Sequence, residues 1–269
     1  MPRISCFPAA RQSSAKRKQY IQSKLDADQS VQVGKLAQEL GVSEMTIRRD
    51  LNDLERIGVL RKTHGGAVKD VSRSYEPPFS LRMHESLEEK RMIGREAVRY
   101  VNEGDTIAID SGTTTIELAK ELVSFKNLTI VTTSIHIAMI FLDHPSITVL
   151  LSGGVLRKHE GSLVGSFARS TFNSLYFDTF FVSAAALSEA AGLSDYIIED
   201  ATVKRMIMEH AKRTVALVHA EKFGQAAFAQ IAPLDEIDVL ITDKQPYPAL
   251  QHELQRQKVT TIIAHAKEN

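Results

Sequence analysis

The sequence predicts an α/β protein in two parts: a small helical unit with a β-hairpin, then an open, largely parallel α/β domain. Three observations carry that expectation. Charge is divided unevenly along the chain; three short helical patterns with a glycine turn occupy residues 16–58; and from about residue 87 short apolar runs alternate with helical ones. The length, 269 residues, is enough for about two domains.

The net charge of zero comes from 33 Lys+Arg against 33 Asp+Glu. Residues 1–75 hold 14 basic and 8 acidic side chains, net +6; the remaining 194 hold 19 and 25, net −6. A basic part joined to an acidic one points to a nucleic-acid reader attached to another function. The single cysteine, Cys6, excludes a disulfide framework and a cysteine metal cluster, and fits a reducing, cytoplasmic compartment. No run approaches the roughly 18 apolar residues of a membrane span, and the N-terminal stretch has no apolar secretory core. HExxH, GxxxxGK[ST] and GxGxxG are absent, so neither a metal nor a cofactor is expected. No repeat of solenoid period occurs.

Residues 1–15 read as a mobile tail rich in Pro, Ser, Ala and Arg. A first helix is expected from Lys16 to Leu25, with Tyr20, Ile21 and Leu25 on one face. A second, Val33 to Leu40, ends at Gly41, a residue suited to a left-handed cap, and Val42 turns back inward. Ser43 can cap a third, SEMTIRRDLNDLERIG, which ends near Gly58 and buries Ile47, Leu51 and Leu54. Its other face carries Glu44, Thr46, Arg48, Arg49, Asn52 and Asp53. The following VLRKTHGGAV alternates and turns on Gly65-Gly66, which reads as a hairpin wing. Three helices with a tight turn before the third, and then a wing, describe a winged helix-turn-helix spanning 16–69.

That fold inserts its third helix in the major groove of double-stranded DNA. Arg48 and Arg49 are the candidates for base or phosphate contact, Thr46 for phosphate or a thymine methyl, with Ser43 and Glu44 on the same leading turn. Arg61, Lys62 and His64 on the wing can reach phosphates or the adjacent minor groove.

Residues 70–86 hold Pro77-Pro78 and little periodicity, and read as a linker. The second domain, 87–269, alternates helices with nearly all-apolar strands such as DTIAID (105–110), LTIVTT (128–133) and DTFFVSA (178–184). Strands of that kind are buried on both faces. Open parallel sheets bind ligands at the carboxyl ends of their strands. The candidate site is therefore Asp110, Ser111, Gly112, Thr113, Thr114 and Thr115, where a strand turns into a helix. Amides at a helix start, hydroxyl donors and the helix dipole favour phosphate, and Gly112 lets it approach the backbone.

The run VGKLAQELGVSEMTIRRDLNDLERIGVLRKTHGGAV resembles the DNA-binding domain of the DeoR family of bacterial transcriptional regulators. The second domain resembles the sensor domain of that family through EKRMIGREA, DSGTT, VTTS, SGGVLR, SLVG, EDATVK, EKFG and ITD. The resemblance covers about residues 16–245. It implies a sensor similar in fold to ribose-5-phosphate isomerase and the CoA-transferase superfamily, a phosphorylated sugar as effector, a dimer or larger homo-oligomer such as a tetramer, and a repressor of a carbohydrate operon. It also implies that Gly112 to Thr115 hold phosphate, that Lys90, Gly154, Arg157 and Lys204 belong to the effector site, and that Lys222 contacts the ligand or orders its loop.

Two stretches depart from the family pattern. His219 stands in place of the usual Asp and Glu221 in place of the usual Ser, and Ser183-Ala184-Ala185-Ala186 replaces a small-Gly turn. A glutamate beside a phosphate pocket repels the ligand unless it faces away or binds an amine or hydroxyl. The competing expectation is a sugar-phosphate isomerase-like enzyme with an appended DNA-binding domain, in which Asp110, Glu199 and Asp200 transfer protons.

Overall fold

In a computed structural model of the chain, residues 13–56, 59–69 and 72–266 are described. The expected tail lies outside the described residues as far as position 12, Cys6 included, and so does the end of the third helix at 57–58. The chain divides into two compact units at Pro77/Pro78.

The first unit holds α1 (Ser14–Asp28), β1 (Ser30–Gln32), α2 (Val33–Leu40), α3 (Glu44–Arg56), β2 (Leu60–Thr63) and β3 (Gly66–Lys69). The Ser13 hydroxyl caps α1, two residues earlier than expected. Gly41 ends α2 at φ 62°, and its N–H returns to the Ala37 carbonyl. Ile21, Leu25, Val33, Leu36, Ile47, Leu51, Leu54 and Leu60 form one core, with Val42 packed against it. Tyr20 departs from the expected face: it sits at the rim of α1, 37% exposed, and its hydroxyl donates to Glu39 (3.0 Å). Asp50 on α3 is buried, and its carboxylate accepts from Arg17 Nε (2.7 Å) and Ser14 Oγ (3.1 Å), tying α3 to α1. The wing gains a third strand unseen in the sequence, since the sheet runs β1-β3-β2.

The second unit is built on a seven-stranded sheet whose paired strands are all parallel, in the order β15-β14-β12-β9-β4-β5-β6. These strands are β4 (Thr106–Ile109), β5 (Leu128–Thr132), β6 (Ile147–Leu151), β9 (Thr179–Val182), β12 (Thr214–Leu217), β14 (Val239–Thr242) and β15 (Thr260–Ile263). Alternate residues feed two cores. Ile107, Ile109, Ile130, Phe181 and Leu217 pack with α5 (Leu87–Ala97), α6 (Thr113–Glu121) and α7 (Ile135–Ile140). Ala108, Val131, Phe180, Val182 and Ala216 pack with α8 (Ser166–Phe172), α9 (Ile198–Glu209) and α10 (Pro248–Arg256). Both sheet faces are covered, which is why the central strands are apolar throughout.

Two small sheets were not evident from the sequence: the hairpin β7 (Val155–Arg157) with β8 (Ser162–Val164), and β10 (Ala186–Ser188), β11 (Gly192–Asp195) and β13 (Ala229–Ala232). The stretch expected as a linker is divided between the units. Tyr75 packs against the first core, whereas α4 (Phe79–Arg82) belongs to the second unit, with Phe79 stacked on His136 at 4.5 Å.

Removing one partner of a buried pair is costly, although the partial exposure of Arg17 moderates the effect here. Asp50→Ala should lower the stability of the first unit by about 2 kcal/mol. Urea unfolding of the full chain measures it, and an unshifted midpoint would contradict the role given to Asp50.

Candidate nucleic-acid face and anion site

Ser43 starts α3: its hydroxyl accepts from the Thr46 amide (3.2 Å) and lies 3.0 Å from the Thr46 hydroxyl. Arg48 and Arg49 are exposed one turn on, and Arg48 meets Glu44 at 3.4 Å. An exposed i,i+4 pair of this kind is weak and yields readily to a phosphate. On the wing Arg61 and His64 are exposed. Lys62 is bound back onto α3 instead: its Nζ donates to Asn52 Oδ1 (2.7 Å) and lies 3.3 Å from Glu55. The backbone N–H of Lys62 donates to Glu55 as well (2.8 Å), and this bond holds the Glu55 carboxyl below its usual range. Lys62 therefore braces the wing against the helix. The hairpin turns on His64-Gly65 rather than Gly65-Gly66, because Gly66 is already paired with Thr63 and Gln32.

In the second unit the chain runs outward from β4 through β5 to β6 on one side, and through β9, β12, β14 and β15 on the other. The switch point lies between β4 and β9, where a parallel sheet opens a crevice for ligands. Asp110 follows β4 there and Ser183 follows β9, and both the amide (3.1 Å) and the hydroxyl (2.6 Å) of Ser183 donate to Asp110 Oδ2. Gly112 caps α6 against them: a Cβ on it would fall 1.8 Å from Ser183 Oγ. Thr113, Thr114 and Thr115 form the first turn of α6, whose amides have no intrahelical acceptor. The Thr115 hydroxyl turns inward to the carbonyls of Asp110 (2.7 Å) and Gly112 (2.8 Å), so it shapes the turn. Ser111 is half-buried beside it.

Lys204 on α9 is buried against this turn. Its ammonium meets Asp110 Oδ2 (2.9 Å), Asp195 Oδ2 (2.7 Å) and the Ser183 carbonyl (3.0 Å), which matches its three N–H donors. Burial opposes the charge, but Asp110 and Asp195 overcome it and raise the pKa above its ordinary value. Asp195, at the end of an unforeseen strand, is a member of the site the sequence reading missed. Arg157 donates to Asp200 at the start of α9, and burial still pushes the Asp200 carboxyl up to about 7. Gly154, at φ 136°, brings the β7 strand against the Val164 carbonyl. Glu199 is exposed.

Lys90 and Lys222 form a second cluster. Lys90 Nζ donates to the carbonyls of Arg82 and Glu85 (2.7 Å to the latter). Burial, then the charge of Lys222, lowers its pKa to about 8. Lys222 is lowered too, by burial and then by Arg82, and its Nζ lies 3.5 Å from Tyr196 Oη. His219 is buried beside both lysines and held neutral, at about 3. Glu221 is 71% exposed and accepts from Ser86 Oγ (2.7 Å), so it binds a hydroxyl of its own chain, while its charge acts on Lys90 and Lys222. Among the described residues no group of His, Cys, Asp and Glu is arranged to hold a metal.

Asp200 and His219 make opposite contributions to stability. Asp200 holds its proton more tightly when folded, so its contribution is full below 3.8 and lost as pH rises toward about 7. His219 is the reverse: its contribution is full above 6.5 and lost as pH falls toward about 3. Asp200→Asn should steepen the rise of stability with pH across that window, and His219→Gln should flatten it. Urea midpoints across the window decide, and unchanged slopes in both variants would contradict the burial argument.

Comparison with known proteins places these two units. The profile of a DeoR-like helix-turn-helix domain matches residues 17–73, and that of a DeoR C-terminal sensor domain residues 85–244. The HTH-type transcriptional regulator GolR of Listeria innocua is 34% identical over 240 residues, covering 89% of this chain and 94% of that protein. The HTH-type transcriptional regulator GlpR of Haloferax volcanii is 34% identical over 253 residues, covering 94% and 99%. The HTH-type transcriptional repressor GlcR of Bacillus subtilis is 34% identical over 229 residues, covering 85% and 88%. A ribose-5-phosphate isomerase in complex with phospho-erythronic acid overlays 51% of this chain and 54% of its own, with a TM-score of 0.39 and 17% identity. Similarity of that size carries no implication for activity. By both of its units, this chain belongs to the DeoR family of helix-turn-helix transcriptional regulators.

Proposed function

We propose that the protein is a cytoplasmic, homo-oligomeric repressor of a carbohydrate operon, and that a phosphorylated sugar bound in its second unit changes its affinity for operator DNA. The observation that carries the effector reading is the switch point. There the acceptor-poor first turn of α6 opens on the carboxyl ends of β4 and β9, in a unit whose Lys90 and Lys222 supply positive charge. Thr113 and Thr114 are the hydroxyl donors for the phosphate, and Gly112 leaves the room that Ser183 fills beside the turn. Lys204 and Arg157 act indirectly, since their charges are engaged by Asp110, Asp195 and Asp200.

On the DNA side, Arg48 and Arg49 read bases or phosphates from α3, while Ser43, Glu44 and Thr46 set its leading turn and Arg61 and His64 reach the backbone. Two copies are needed to read the two halves of a palindromic operator. The relatives named as regulators and a repressor support this reading.

One observation favours an isomerase-like enzyme: a carboxyl at Asp200 poised near neutrality is a candidate acid or base. Its engagement by Arg157 and its place beside the Lys204 network favour a structural role instead. Turnover of a sugar phosphate that Asp200→Asn abolishes would establish the enzyme.

Fluorescence anisotropy with labelled operator, titrated with a panel of sugar phosphates, tests the regulator. At least one member should shift operator affinity in the wild type and lose that effect in Gly112→Ala; a panel without effect on intact DNA binding would refute the sensor. Arg48→Ala or Arg49→Ala should weaken operator binding by about 1–3 kcal/mol. A loss uniform across sequences with a shallower salt slope assigns the residue to phosphate, and no loss in either variant refutes α3 as the reading helix.

A further inference from the structure

The seven-stranded sheet ends at β15 on one side and at β6 on the other. At β15 the apolar side chains Ile262 and Ile263 are half-buried by their own chain. β6 differs: Leu150 and Leu151 are each 40% exposed. The register with β5 sets Leu150 beside Val131, on the α8 side of the sheet, and Leu151 beside Thr132, on the α7 side. Apolar surface is thus open on both faces of one strand. It continues past the strand end. Phe167, at the start of α8, lies over Gly153, where a Cβ would fall 3.6 Å from the Phe167 Cβ. Val155 and Leu156 on β7 follow, and Val155 and Phe167 are 68% and 72% exposed.

The backbone of β6 is open as well. Ser152 N–H donates to the Thr132 carbonyl (2.9 Å), so by alternation residues 148, 150 and 152 turn their polar groups to β5. Val149 and Leu151 turn theirs away from the sheet. Free edges are ordinarily guarded by a charge, a proline or a bulge. The strand ITVLL has none of these, and its pairing with β5 is unbroken along its length.

A second copy satisfies this edge reciprocally. A two-fold axis at Leu150 sets two β6 strands antiparallel, with Val149 of each copy exchanging hydrogen bonds with Leu151 of the other. Leu150, Leu151, Val155, Leu156 and Phe167, covered in both copies, then contribute on the order of 1,000 Å², the size at which an interface becomes specific.

We propose that the free edge of β6 and the apolar patch beyond it form the seam between two copies of this chain. The inference rests on the homo-oligomeric reading above and adds to it the surface and the symmetry. The seam also reaches the effector end of the unit. β7, which carries Val155 and Leu156, ends in Arg157, whose guanidinium donates to Asp200 beside the Lys204 network. One hairpin therefore joins the seam to the effector site.

Sedimentation equilibrium of the full chain tests it. The wild type should have the mass of a dimer or of a larger even-numbered assembly, and Leu150→Glu should halve that mass while keeping the circular dichroism of the folded chain. A second pair of variants does not depend on tolerance of a charge at the edge. Cys6→Ser/Leu150→Cys should close a disulfide between copies under mild oxidation, because residues facing each other on antiparallel strands stand within disulfide reach. Cys6→Ser/Tyr176→Cys, altered at an exposed position before β9, should not. An undiminished mass in Leu150→Glu, or equal cross-linking in the two cysteine variants, overturns the seam and leaves a regulator assembled through another surface. A monomeric wild type overturns the seam and the homo-oligomer together.

Discussion

The buried ammonium of Lys204 is the constraint around which the ligand end of the second unit is organised. A buried charge is tolerated only where every donor is met, and Lys204 has three acceptors for three N–H groups. Those acceptors follow or end three strands: Asp110 after β4, Ser183 after β9 and Asp195 at the end of β11. One side chain from α9 thereby fixes the relative positions of the strand ends flanking the switch point. The turn from Asp110 to Thr115 inherits its shape from that network, and the Thr115 hydroxyl locks it from within.

The charge of the network is not balanced. Asp110, Asp195 and Asp200 face Lys204 and Arg157, three acids against two bases. Burial and the neighbouring acids push Asp200 upward until it titrates at about 7. Beside it Lys90 and Lys222 flank a neutral His219, with Glu85 and Glu221 acting on both lysines. Asp195 acts on Lys222 as well as on Lys204, so the two clusters adjoin. The network around Lys204 shapes the turn, and the lysine pair beside it is a separate group of residues. The family pattern at 219 and 221 is redistributed accordingly: a carboxylate is absent from the buried position and present at the exposed one.

Much of this arrangement was legible in the residues because local physics dictated it. Gly41 and Ser43 bracket the turn before α3 through backbone geometry alone, and the stripe of Ile47, Leu51 and Leu54 follows from helical spacing. The apolar strands declared a sheet covered on both faces. What was not legible depends on contacts distant in the chain. Helical spacing places Asp50 beside Ile47 and Leu54, but only Arg17, 33 residues away, explains how a carboxylate is held there. Short strands of small residues, such as Ala186–Ser188, lack a periodic signature, so Asp195 at the end of β11 stayed hidden. Lys204 and Arg157 were expected on family spacing to meet ligand, but spacing does not reveal that carboxylates from elsewhere already hold them.

The central claim is that one site in the second unit and operator binding by the first share a coupling free energy. Such coupling is reciprocal. Calorimetric titration of the full chain with the active sugar phosphate, without and with saturating operator DNA, measures it directly. The account predicts that operator changes the affinity for the sugar phosphate by the same factor by which the sugar phosphate changes the affinity for operator. Equal affinity in the two titrations would contradict it.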